Sequence, residues 1–379
     1  MIDYEVLRFI WWLLIGVLLI GFAITDGFDM GVGILVPIIG KTDTQRRVMI
    51  NSIAPHWDGN QVWLITAGGA IFAAWPLVYA TAFSGFYIAM ILVLSALFFR
   101  PIGFDYRSKL ENPKWRNWWD AGIFTGSFVP ALVFGVAFGN LLQGVPINFD
   151  ADVNIFYDGN FFQLLNPFAI LAGVVSLMML TMQGATYLQM RTTDELHVRS
   201  RKASMITALI TSATFILGGV WIAMGIDGYV LTSVLDHSAP SVIFGKEVAV
   251  QSGAWMNNFK TYPILWVFPA LGALCPLLVI ITSKAGRCAW SFVFSSLTQV
   301  GVIMTFGIAM FPFIMPSTID ANLSLTMWDA TSSQLTLQIM TIVAIIFVPI
   351  VLSYTAWSYY KMFGRLNDSF IEDNKHRLY

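Results

Sequence analysis

The run FIWWLLIGVLLIGFAITDGFDMGVGILVPII, residues 9–39, decides how the rest of the chain is read. It is roughly 31 residues long, about 46 Å as a helix, whereas the hydrocarbon core of a bilayer is about 30 Å thick. It is too long for one straight crossing and too short for two. Its only charged residues, Asp26 and Asp29, stand at i and i+3 and so face one way on a helix. Carboxylates in such a segment either seek a partner in a neighbouring helix or subunit, or handle an ion or proton. The glycines of its latter half permit a kink or a close helix contact.

Composition places the whole chain in the same solvent. Of 379 residues 57% are hydrophobic and 11% charged, against about 25% charged in soluble domains. This is an all-α polytopic membrane protein, and nothing in it suits nucleic acid. Nine segments meet the length requirement of a span, with cores near 9–39, 55–75, 82–99, 119–142, 162–188, 204–224, 262–282, 289–312 and 335–358. No small-residue cleavage site follows the first run, which reads as a retained span. All 21 Lys and Arg residues except Arg8, Lys246 and Lys260 fall in the odd-numbered connections or the tail. The positive-inside rule then makes those connections and the C-terminus cytoplasmic and the N-terminus periplasmic. Residues 1–379 form one integral-membrane domain. The longest outer connection, 225–261, carries Asp227, Asp236 and His237 scattered among polar residues and reads as a solvated loop. Cys275 and Cys288 read as small core residues.

A second polar island is APHWDGNQVW, residues 54–63. Counting one span back from Trp75 and Pro76 reaches Pro55, so the island forms the cytoplasmic end of the second helix. His56, Asn60 and Trp63 share one helical face, with Trp57 and Gln61 on the next. A carboxylate such as Asp58 costs roughly 3 kcal/mol inside a bilayer. Two readings compete. Pro55, Asp58 and the tryptophans suit helix termination and an interfacial belt; Asp58 and His56 also suit proton uptake from the cytoplasm. FFRPIGFDYRSK, residues 98–109, sets Arg100, Asp105, Arg107 and Lys109 after the third span, and Asp120 opens the fourth. In MWDATSSQLTL, residues 327–337, Asp329 and the Ser/Thr run read as helix caps. His56 is the only histidine near a membrane helix, which excludes bis-histidine haem ligation inside this chain, and no metal, nucleotide or haem-attachment motif is present.

TDGFDMGVG, INSIAPHWDGNQVWLITAGGAIFAAWP, SGFYIAMILVLSALFFRPIGFDYRSK, NLLQGVP, QGATYLQMRT and LTMWDATSSQLTL, in that order, closely resemble subunit II of the bacterial cytochrome bd quinol oxidases. The likeness runs from DYEVLRFIWWLL to YYKMFGR and Tyr379. It implies nine helices in two four-helix bundles, 1–142 and 160–312, with a peripheral ninth helix at 335–358. It implies a heterodimer with subunit I, which carries two b-type haems, haem d and the quinol site, and small single-span subunits beside it. Such complexes, in the bacterial inner membrane, oxidise quinol and reduce dioxygen to water, drawing protons from the cytoplasm without pumping. Some members hold a structural quinone in this subunit. Matched position by position, Asp58 belongs to a proton route shared with subunit I, with Lys109 and Tyr379 near its mouth, and Trp63 lies beside an oxygen tunnel. His56, Trp57, Asp26, Asp29 and Asp120 match as structural or proton-path candidates.

Two other classes fit the residues alone. Asp26, Asp29 and Asp58 on a glycine-broken helix suit an ion-coupled transporter. A purely structural assembly subunit is the third.

Overall fold

A computed structural model describes residues 2–367 and Ile371 of the chain. The long apolar run becomes α1 (Tyr4–Ile24) and α2 (Asp26–Ile39), interrupted only at Thr25, whose hydroxyl donates to the Gly21 carbonyl at 2.7 Å. The two continue one another as a single candidate span of 36 residues, so its surplus length extends the crossing and does not fold back. The expected loop after it is largely helical: Thr42 and Gln45 form a capping box that starts α3 (Asp43–Ile53). Next come α4 (Trp57–Ala74) and α5 (Pro76–Gly85), bent by 118° at Trp75 ahead of Pro76. α6 (Tyr87–Leu97), α7 (Phe99–Arg107), α8 (Pro113–Gln143), α9 (Pro167–Arg191) and α10 (Asp194–Gly225) follow. The short α11 (Asn257–Thr261) precedes α12 (Val267–Lys284), α13 (Cys288–Met310) and α14 (Gln334–Met362). Among the described residues eight helical stretches are long and apolar enough to cross a membrane, nine when the bent pair α4 and α5 counts as one.

The core forms where α2 meets α9. Both are buried along almost their whole length, and α9 packs against α2, α8, α10 and α13. Glycine makes this contact, because between helices in lipid close packing replaces the hydrophobic effect as the driving force. A Cβ on Gly31 would lie 2.2 Å from the Leu180 carbonyl oxygen, and one on Gly184 would lie 2.4 Å from the Gly31 carbonyl carbon. Of the two roles open to the glycines of the first run, a kink or a close helix contact, Gly31 takes the second and admits a neighbouring backbone. α14, by contrast, touches the rest mainly through α1 and α4 and leaves most of its apolar surface uncovered.

The two ends of the helices differ in chemistry. One, the basic end, holds α3 and the turns α7–α8, α9–α10 and α12–α13. The far end carries three antiparallel hairpins, Ile147–Phe149 with Ile155–Tyr157, Asp227–Leu231 with Val248–Ser252, and Phe313–Met315 with Leu325–Thr326. The connection 225–261 is therefore a folded cap and only partly a solvated loop. Trp255, 1% exposed, donates its indole N–H to the Leu142 carbonyl. Arg8 is fully buried; its guanidinium lies 3.7 Å from the Tyr4 ring and donates to the carbonyls of His237 and Ala239 and to the Ser241 hydroxyl. Lys246 and Asp329, both buried, pair at 2.9 Å. Asp329 also accepts from the backbone and hydroxyl of Thr326, whereas Ser333 caps α14. The expected capping role of Asp329 thus passes to Ser333, because a buried carboxylate is held best by a buried cation.

Burial raises the Asp329 carboxyl above its ordinary range, and the Lys246 ammonium and the Thr326 donors offset this only in part. A carboxyl raised in the folded state supports stability fully below its unfolded pKa and loses that support as pH rises through the folded value. Lys246→Met removes the compensating cation and is expected to cost about 3–5 kcal/mol at neutral pH. Thermal unfolding as a function of pH checks this: the deficit should narrow as pH falls and Asp329 takes up a proton.

Candidate functional site

Where α2 crosses α6 and α7, the carboxylates of the first run find their partners. Arg100, the second residue of α7, donates to both oxygens of Asp26, at 2.6 and 3.1 Å, and both side chains are fully buried. Planar guanidinium suits this two-point contact, which satisfies both carboxylate oxygens at once. Asp29, one helical turn on, is equally buried. One of its oxygens accepts from the Asn60 amide at 2.8 Å, while the other has no partner among the described residues. The Asn60 carbonyl accepts from the Tyr359 hydroxyl of α14. The Tyr359 ring in turn stacks on His56, centroids 4.3 Å apart and planes within 8°. His56 and Asn60 thus meet Asp29 and Tyr359 in one network that joins α2, α4 and α14.

Arg100 was expected in a loop after the third span, yet α6 and α7 run on almost without interruption to Arg107. Arg100, Phe104 and Arg107 all face inward along α7. Arg107 holds Asp120 with two donors and reaches Asp43 at 2.9 Å; Arg46 adds a bond to Asp120 at 2.7 Å, and Arg116 one to Asp43 at 2.6 Å. Asp120 is therefore pinned by two guanidinium groups, a clamp that ties α3, α7 and α8 at the basic end. Sequence reasoning missed Arg100, Arg107, Asn60 and Tyr359 as a set. The seven-residue interval between the two arginines, two helical turns, was the signal that placed them on one face.

Asp58 behaves differently. It sits in the first turn of α4, exposed, and makes no hydrogen bond or ion pair with any described residue. The outward stripe continues from it through Val62, Ile65 and Phe72. His56 precedes the helix as its N-cap residue but makes no side-chain capping bond, and neither does Asp58, so the expected side-chain cap at this helix start is absent from both. Trp57 packs its ring near Phe104, centroids 6.0 Å apart. Trp63 lies over Gly21, where an added Cβ would meet the indole at 2.3 Å. Lys109 is exposed in the α7–α8 turn at the same end as Asp58. Tyr379 lies outside the described residues.

Geometry thus defines a class: a polytopic helical membrane protein with buried carboxylates held by arginine and amide donors, and with Asp58 turned outward at a helix start. The family model for cytochrome bd terminal oxidase subunit II matches residues 7–362. Cytochrome bd-I ubiquinol oxidase subunit 2 of Escherichia coli K12 is 67% identical over the full length of both chains. Cytochrome bd ubiquinol oxidase subunit 2 of Bacillus subtilis is 34% identical over 93% of this chain and 94% of its own. A structure of bd oxidase from Geobacillus thermodenitrificans matches in fold with a TM-score of 0.61 at 13% identity, covering 95% of this chain and 99% of that one. The chain belongs to the cytochrome bd terminal oxidase subunit II family and is one subunit of a terminal oxidase complex.

The family uses haems. An axial position needs an imidazole, thiolate or thioether free to point at iron. His56 is buried against Tyr359; the Nδ1 of His197 pairs with the Gln189 carbonyl at 3.0 Å; His237 stacks on Trp328 and pairs with Glu5. His376 lies outside the described residues.

Removing Arg100 alone strands the Asp26 carboxylate in an apolar interior. Arg100→Met is expected to destabilise the purified complex by about 3–5 kcal/mol, and pairing it with Asp26→Leu should recover much of the loss. A double-mutant cycle on thermal unfolding measures the coupling; additive effects would contradict a direct pair.

Proposed function

We propose that this chain is the haem-free half of a quinol:oxygen oxidoreductase of the bacterial inner membrane. Its larger partner, subunit I, binds two b-type haems and haem d and holds the quinol site. The complex oxidises quinol, reduces dioxygen to water and separates charge by drawing the protons for water from the cytoplasm, without a pump. The basic end faces the cytoplasm, which leaves the N-terminus periplasmic and the C-terminus cytoplasmic. The 1–142 and 160–312 helices are the two four-helix bundles and α14 is the peripheral helix. Small single-span subunits, surrounding lipid and a structural quinone complete the assembly.

Asp58 is the observation that carries this reading. A carboxylate at the start of a membrane helix, exposed and without a partner among the described residues, suits a counterpart supplied by another subunit. Its neighbours on α4 are apolar, so the stripe suits a helix of subunit I with the carboxylate at its edge. There Asp58 takes protons from the aqueous surface and passes them across the subunit boundary, with Lys109 and Tyr379 at the mouth. Asp29, whose second oxygen is free, and the adjacent His56 belong to the same polar region, while Asp26 and Asp120 are structural anchors. Trp57 packs beside that region. Trp63, in an apolar cluster with Phe22 and Leu64, borders the route by which oxygen reaches the haem.

Asp58→Asn preserves shape and abolishes titration. It should lower quinol-dependent oxygen consumption by roughly the 10²–10⁴-fold that a positioned proton-transfer group contributes, with haem content unchanged. Wild-type turnover in a fully haem-loaded variant would remove Asp58 from the proton route. Trp63→Leu should alter the apparent affinity for oxygen more than that for quinol, measured by oxygen electrode at varied concentrations of each. Equal changes in both would assign Trp63 to general packing.

A further inference from the structure

The second half of the chain has a polar interior that the proposed mechanism does not use. Along α13, Ser291, Ser295, Thr298 and Gln299 occupy one face at helical spacing, and all four are 0% exposed. The stripe begins one turn from the basic end and climbs about 12 Å along the helix axis. Opposite it, α9 presents Gln183 and Gln189, also 0% exposed.

Hydroxyls in membrane helices usually satisfy themselves on the carbonyl four residues back. Ser291 and Thr298 do so, donating to Arg287 and Phe294. Ser295 does not, and its oxygen has no partner among the described residues. The three glutamines repeat this pattern. Gln299 donates to the Met179 carbonyl at 2.9 Å, and Gln183 donates to the Ile24 carbonyl at 3.2 Å and to Ser296 at 3.0 Å. Gln189 donates to Ser204 and Ser283, and Ser283 donates to Ser291. In each glutamine the amide nitrogen is engaged and the carbonyl oxygen is buried with nothing to accept from. For Gln183 and Gln299 the orientation is fixed by chemistry, because a backbone carbonyl can only accept, so the NH₂ must face it. The side-chain oxygens of Gln183 and Gln299 and the Ser295 hydroxyl, buried at successive levels of one seam, therefore call for a small molecule that donates.

We propose that the seam between α9 and α13 is a water-binding site. Its waters form a file from the α12–α13 turn at the basic end to the level of Gln299, each donating to one of these oxygens. Water is the ligand the seam suits: its lining is hydroxyl and amide, it carries no charge, and each orphan can accept from a water, which can in turn accept from the Ser295 hydroxyl. The file passes Gln183, whose amide is bonded to the carbonyl of Ile24, two residues before Asp26. It thereby brings a hydrated path to the break between α1 and α2 from the side opposite α4. The assignment stands on geometry within this chain and is independent of the role given to Asp58.

A cryo-EM map of the intact complex, at a resolution that shows ordered water, tests it directly. Density is expected within hydrogen-bond distance of the Gln183 and Gln299 side-chain oxygens and of the Ser295 hydroxyl. Protein donors filling those positions, with no such density, would overturn the proposal. Hydroxyl-radical footprinting of the same complex gives a second reading, since radicals form at bound water. Met179 and Met182, on α9, should oxidise several-fold more slowly in Gln299→Leu than in the wild type. An unchanged rate in an assembled, haem-loaded variant would also overturn it; should that variant fail to assemble, the wild-type map decides.

Discussion

A carboxylate that lies fully inside an apolar bundle must be neutralised there, and the pair between Asp26 and Arg100 is where this chain meets that demand. Everything near α2 is arranged around it. The pair fixes the rotation of α2, which turns Asp29 toward Asn60 and turns Gly31 toward the backbone of α9. It also fixes how far α7 extends, since Arg100 must reach the level of Asp26. What looks from composition like an overlong apolar segment is a central helix whose two acids are its points of attachment.

Charge pairing of different kinds divides the molecule into layers. At the basic end, Asp43 and Asp120 are shared among three arginines, so surface helices are clamped to spans by groups that water can still partly reach. In the middle, the Asp26 and Arg100 pair is fully buried, and the network of Asp29, Asn60 and Tyr359 extends to α14. At the far end, Arg8, Lys246 and Asp329 lie under hairpins that seal the cap. Against these matched sets Asp58 stands out. It is exposed and has no partner among the described residues.

The polar seam of α9 and α13 shows the other device available inside a membrane, hydroxyls and amides without net charge. Such groups cost less to bury than ions, and several neutralise themselves on the helix backbone. Those that do not are concentrated along one line. Two parts of the helical core thus handle polarity differently: ion pairing around α2 and uncharged hydrogen bonding between α9 and α13.

Much of this was legible in the sequence, for physical reasons that can be named. Eight of the nine expected spans followed from apolar length, because every backbone group in a bilayer must be satisfied within its own helix, and the second is matched only by α4 and α5 taken together across their 118° bend. The segregation of Lys and Arg, the helical start at APHWDGNQVW and the isolation of Asp26 and Asp29 as anomalies were likewise local properties. Family membership was written in ordered motifs along the whole chain. What stayed hidden was pairing. Arg100 read as a loop residue because a charge normally ends a span, and only the packed fold shows that Asp26 lies in reach to neutralise it. Lys246 and Asp329, 83 positions apart, read as a loop charge and a cap for the same reason. Hydrophobicity is a property of a segment, whereas the partner of a buried charge is a property of three-dimensional proximity; the first the sequence determined by itself, and the second only the tertiary structure decided.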